Sequence, residues 1–321
     1  MAKIVLGIGS SHGPSIQTPP EGWPMLGEGD PRDPRMDYEA LLKAAPPELA
    51  DELTPEKHSA RHAAAHAAIG TLKDKITDAR PDVLVVISNP HRIHADDNQV
   101  VFGVIRSEEI PAAKCSGAPF NPDDRFRDPA GRAKPEIVQR RGNPSLANHL
   151  VRELVTRGFD VACRDGVREG EAIDDAFTYV YDWLLADGTE PDMVPLMLSR
   201  YMPYQPTPAR CYAFGTALRE VIESWDADLR VGLVASSGLS HQIIDEELDR
   251  RVIAALASTD EAELTSLSRE QLNRAPGTPE ILNWVTVAAA MAPVGMTLVD
   301  YVTAYRSPAG TGHGLTFGVW D

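Results

Sequence analysis

Three histidines stand where an apolar run gives way to a turn of small or rigid residues. His12 lies in GIGSSHGPS, His91 in SNPHRIHADDN and His241 in ASSGLSHQ. Imidazole both ligates metals and carries protons near neutral pH. Two imidazoles and one carboxylate on one face of a metal leave three positions open, the arrangement that non-haem Fe(II) oxygenases use for substrate and dioxygen. His12 and His91 supply two such imidazoles. A candidate carboxylate is Glu280 in PGTPEILNW, which follows a Gly-Thr-Pro start and leads a largely apolar helix. A carboxylate there either complements the helix dipole or is held in the core as a ligand. The spacing leaves both open.

Alternating elements are needed to bring these residues together. The sequence predicts strands over residues 3–9, 81–88, 159–164, 193–198 and 229–238, with helices over 54–79, 144–158, 177–185 and 208–224. Thr54, Pro55 and Glu56 form a helix-start signal. PDVLVVIS is continuously apolar, as in a strand buried on both faces. Residues 245–292 read as mainly helical. The pattern implies one three-layer α/β domain over residues 1–321, with a central parallel or mixed sheet flanked by helices. Residues 17–37 and 106–146, dense in Pro, Gly and charge, read as long loops or insertions, the first covering the site or contacting a partner subunit. Ligands of open α/β sheets bind beyond the carboxyl ends of strands, so the three histidines have a physical reason to meet.

The chain has 321 residues and a net charge of −16. That charge disfavours nucleic acid and anionic membranes as partners. It leaves a small anionic substrate open. The three cysteines are widely spaced without a CxxC pair, which suits a reducing cytoplasm. The apolar stretch over 284–300 is interrupted by Pro293 and is too short to span a bilayer. No secretion signal is read at the N-terminus.

Other polar residues have blander readings. His58, His62 and His66 recur every fourth residue in an alanine-rich helix and read as a helix face or subunit contact. His149 reads as a helix-surface residue and Arg210 as a surface arginine. His94, three residues after His91, is a candidate for contact with substrate or with a ligand. Asp96 and Asp97 either solvate a turn or orient metal-bound histidines.

The stretches GIGSSHGP, VVISNPHRIHADD, PYQPTPARCYAFG, ASSGLSHQ and GTPEILNW, in this order, resemble the catalytic-subunit family of protocatechuate 4,5-dioxygenase, and within it the gallate and 3-O-methylgallate dioxygenases. The resemblance runs from residue 4 to about residue 285. It implies an extradiol enzyme that chelates a catechol on Fe(II) and inserts both atoms of O2 to open the ring. His12, His91 and Glu280 would then ligate iron, and His241 would act as acid–base. Two departures stand out. Where the relative has an aspartate followed by a histidine, this chain has Asp174 and Asp175, the latter a candidate for contact with substrate or ligand. Where the relative directs a Ser-Asn pair at a substrate carboxylate, this chain has Gly310 and Thr311, with His313 close by. Thr311 and His313 are therefore substrate-side candidates, and the ring substituents stay open among protocatechuate, gallate and 3-O-methylgallate. The resemblance implies a chain type that pairs with a small α-helical subunit; no fused copy of that subunit is read here, so the expectation is a homodimer, with a separate small subunit as the alternative. The alternatives are extradiol cleavage of another dihydroxylated or aminophenol ring, a zinc hydrolase with the same ligands, or a non-catalytic binding protein.

Overall fold

The computed structural model describes residues 1–91, 100–115, 136–186, 188 and 190–321. Among them the strands are β1 (Lys3–Ser10), β2 (Val83–Ser88), β3 (Phe102–Ile105), β4 (Glu109–Ala113), β5 (Ile137–Arg141), β6 (Val161–Arg164), β7 (Asp192–Leu198), β8 (Arg230–Ser236), β9 (His241–Ile243), β10 (Thr297–Tyr305) and β11 (Thr311–Trp320). The α-helices are α1 (Pro14–Gln17), α2 (Trp23–Gly27), α3 (Tyr38–Ala44), α4 (Pro55–Ala79), α5 (Pro144–Thr156), α6 (Asp175–Trp183), α7 (Pro208–Ser224), α8 (Glu246–Ser258), α9 (Glu261–Ser266), α10 (Arg269–Leu272) and α11 (Ile281–Met291).

A nine-stranded mixed sheet runs in the order β10-β11-β1-β8-β2-β7-β3-β6, with β9 added beside β11. Its centre, β1, β8, β2 and β7, is parallel. Strand β11 is antiparallel to β1, and β3 is antiparallel to β7. All six residues of β2 are buried. Val83, Val85 and Ile87 pack with α5, α7, α8 and α11, while Leu84 and Val86 pack with α4, α6, Trp23 and Leu26. This is the three-layer α/β domain expected from the alternating pattern. Covering on both faces is what an unalternating apolar strand demands.

Helix α4 begins where its signal lies: the Thr54 hydroxyl accepts from the Lys57 N–H, and Pro55 occupies the first turn. Helix α11 seats against β1 because Gly9 has no side chain. A Cβ there would lie 2.0 Å from Cζ3 of the Trp284 ring. This contact fixes the helix that Glu280 leads.

Several segments differ from the sequence reading. Residues 17–37, expected as an irregular loop, wind into short turns around a fully buried Trp23, whose indole N–H donates to the carbonyls of Ser15 and Thr18. The 106–146 segment contains the antiparallel strand pair β4 and β5, and its residues 116–135 lie outside the described residues. The hairpin β10–β11 was not predicted at all. His149, expected at the surface, is buried, with its Nε2 3.0 Å from the Val221 carbonyl oxygen and its ring stacked on Trp225. His58 is buried against Trp23, while the half-buried His62 and His66 lie beside Trp23 and Trp183. No helix among the described residues is long and apolar enough to cross a membrane.

Candidate metal centre

The parallel strands β1, β8, β2 and β7 deliver four chain segments to one edge of the sheet. Two residues past β1, His12 is buried, and its Nδ1 lies 3.2 Å from the hydroxyl of Ser236 at the end of β8. Three residues past β2, His91 donates its backbone N–H to Asp174 Oδ2 at 2.7 Å. Asp174 also caps α6 through the Ala176 N–H, so one carboxylate ties the His91 turn to a helix start. Asp175 Oδ1 lies 3.7 Å from His91 Nδ1. An acidic partner on the far nitrogen of an imidazole commonly orients metal ligands.

Glu280 ends a 3-10 turn (Thr278–Glu280) that leads into α11, and it is fully buried. Its backbone carbonyl accepts from the Ser237 hydroxyl at 3.1 Å. Glu280 Oε1 lies 3.3 Å from His91 Nε2, and Oε2 lies 4.0 Å from His12 Nε2. The donor atoms of His12, His91 and Glu280 all fall within 4.8 Å of one another. His12 Nε2 and Glu280 Oε2 are buried and have no hydrogen-bond partner within the protein. Leaving such groups unsatisfied is costly, and a divalent cation between them would satisfy both. Two imidazole nitrogens and a carboxylate oxygen suit first-row transition metals. The residues therefore fit a metal ion.

The electrostatics fit as well. Burial alone would raise the Glu280 carboxyl, but Arg200, His91 and His241 outweigh it and hold the group ionised well below the usual range. Burial keeps His12 lowered, with Glu280 opposing. At His91, burial and Arg200 push down, yet Asp175, Glu280 and Asp174 prevail and lift it to about 10. His241 is lowered to about 3, chiefly by burial; Glu280 opposes, while Arg200, His12 and His91 add to the shift.

His241 starts β9 and packs edge-on against His313 of β11, with ring centroids 4.4 Å apart. Gly277 permits this seat, because a Cβ there would lie 2.3 Å from the His241 ring. His313 Nδ1 is 3.1 Å from the Ser15 hydroxyl, so His313 stands behind His241 as a buried neighbour. Thr311 does not present its hydroxyl to a ring substituent. That hydroxyl bonds to Asp30 at 2.5 Å and Ser307 at 2.6 Å in a buried cluster with Arg306. His94 lies outside the described residues.

Two contributors had escaped the sequence reading. Arg200, two residues past β7, donates from Nη1 to Glu280 Oε1. Its one signal was its place after a buried strand. Asp249, fully buried in α8, accepts from the N–H and hydroxyl of Ser240 and from the Tyr301 hydroxyl. It thereby anchors the turn that presents His241. No motif marked it.

The family model for the catalytic LigB subunit of aromatic ring-opening dioxygenases matches residues 40–316. The chain belongs to the LigB family. The matched range contains His91, Arg200, His241 and Glu280, and His12 precedes it. A gallate dioxygenase of Pseudomonas putida is a curated relative, 29% identical over 163 residues. That match covers 47% of this chain and 46% of the relative, so the chain spans about half the length of this curated relative.

Proposed function

We propose that this chain is an Fe(II)-dependent extradiol dioxygenase, a single catalytic domain that opens the ring of a catechol- or gallate-like aromatic. The observation that carries the reading is the pair of buried, partnerless ligand atoms, His12 Nε2 and Glu280 Oε2, facing each other 4.0 Å apart with His91 beside them. Family membership narrows the chemistry to aromatic ring opening. The gallate dioxygenase relative, aligned over 46% of its length, supports a gallate-like ring, and the sequence motifs keep 3-O-methylgallate and protocatechuate beside it.

His12, His91 and Glu280 would hold the metal. Iron held there would supply an electron path between the aromatic substrate and dioxygen. Ser236 and Asp175 orient the imidazoles of His12 and His91, and Asp174 fixes the backbone turn that carries His91. His241 is neutral at neutral pH and can take a hydroxyl proton at a ring nitrogen. Its lowered pKa makes the resulting imidazolium a ready acid for returning that proton. His313 and Gly277 hold the ring of His241 in place.

The test is dioxygen uptake by protein loaded anaerobically with Fe(II), across protocatechuate, gallate, 3-O-methylgallate and catechol. Uptake with one of them, with a new ring-opened chromophore, is expected. Iron-loaded protein that consumes no dioxygen with any of the four rings would remove the reading for this substrate class. Equal turnover of a hydrolysable ester by the zinc-loaded protein, without dioxygen, would replace it with a hydrolase.

A further inference from the structure

The two oxygens of Glu280 have unequal surroundings. Oε1 accepts an N–H from Arg200 Nη1 and lies 3.3 Å from His91 Nε2. Oε2 has no partner and faces His12 Nε2, which also has none. A metal cation bonded to Oε1 would sit against a guanidinium already on that atom, and two positive groups on one buried oxygen repel strongly. A cation at Oε2 meets no such opposition. We propose that Arg200 is a positioning residue that reserves Oε1 and limits Glu280 to one metal bond, through Oε2. The proposal rests on the metal-centre reading above.

The consequence is a count of open positions. Two imidazoles and one carboxylate oxygen leave three of six positions for exogenous groups. A carboxylate bound through both oxygens leaves two, enough for a chelating ring but not for dioxygen beside it. Holding Oε1 therefore decides whether both reactants can occupy the metal together.

Arg200 is fastened for this task. Its Nη2 donates to the Tyr201 hydroxyl at 2.8 Å. Its carbonyl accepts from Gln205 Nε2 at 3.1 Å, and Gln205 is in turn paired with Asn273. Only 12% of the Arg200 side chain is exposed. Ser237 grips the Glu280 backbone from the other side, so neither partner of the ion pair is free to swing.

The experiment loads wild type, Arg200→Gln and Arg200→Lys with Fe(II) anaerobically. Each then receives 4-nitrocatechol, whose visible absorption reports chelation, followed by nitric oxide, whose iron complex is read by electron paramagnetic resonance. Wild type is expected to hold both ligands at once. Arg200→Gln is expected to bind either one alone, with at least a ten-fold loss of nitric oxide affinity once nitrocatechol is bound. Arg200→Lys keeps a cation for Oε1 and serves if the glutamine variant does not fold; it is expected to hold both. A glutamine variant that binds both ligands as wild type does, or a lysine variant that binds only one, overturns the proposal. Wild type that takes up no iron, or that chelates no nitrocatechol, instead overturns the underlying metal-centre reading.

Discussion

His241 and His91 sit in one cluster yet are driven to opposite protonation states. Burial dominates at His241 and keeps it neutral, whereas three carboxylates around His91 outweigh burial and keep it protonated in the metal-free protein. A His241→Ala variant is expected to retain metal and lose about 10²–10⁴-fold in turnover, the usual worth of a positioned acid–base; metal analysis alongside the rate checks it. Binding a metal at His91 requires its proton to leave. Metal affinity should therefore rise from pH 6 to 9 with release of about one proton, measured by titration calorimetry in buffers of different ionisation enthalpy. Stability of the metal-free protein moves the other way. The folded pKa of His91 is raised, so its contribution is fully present below about 6.5 and is lost as pH rises through about 10. Urea denaturation at pH 6 and pH 9.5, with chelator present, should show the loss, and His91→Gln should flatten that slope.

At the scale of elements, the site depends on how α11 and β1 touch. Gly9 admits the Trp284 ring, the Trp284 N–H donates to the Ser237 carbonyl at 3.0 Å, and Ser237 grips the carbonyl of Glu280. One packing contact thus sets the depth of the carboxylate. A methyl group at Gly9 cannot fit without moving the helix. Gly9→Ala should cost about 1–3 kcal/mol, the usual penalty of overpacking, and should weaken metal binding as well. Denaturant midpoints and metal titration check the two effects. A variant that loses stability but keeps full metal affinity would show that α11 shifts without carrying Glu280.

For the whole molecule, the parallel strands β1, β8, β2 and β7 end together and convert distant stretches of sequence into one cluster, while β11 runs back beside β1 to bring His313 to His241. A ligand bound by three separated segments, those of His12, His91 and Glu280, stabilises the folded chain by mass action. Fe(II) or Zn(II) at about 100 times its dissociation constant should add about 2.7 kcal/mol, raising the unfolding temperature by several degrees, and a chelator should reverse it. His12→Gln should abolish the shift; an unchanged shift would place the metal elsewhere.

Much of this was legible in residue order. Unbroken apolar runs marked β1, β2, β7 and β8, because strands covered on both faces need no polar side, and Thr54-Pro55 marked the start of α4. His12, His91, His241 and Glu280 were readable as chemistry because each sits where an element meets a turn. The sequence alone left open whether Glu280 capped a helix or faced a metal. Only the tertiary structure set its Oε2 against His12 and its Oε1 against Arg200, since residues 80 positions apart become neighbours through strand order and helix packing. Strand β11 was hidden by polar and glycine residues that its neighbours bury, and β10 by its mixed, partly exposed pattern. Thr311 looked available for a ring substituent until Asp30, 281 positions away, took its hydroxyl. Local pattern determines which elements form, because it acts through near neighbours; which buried polar atoms find partners is decided by contacts that no local pattern records.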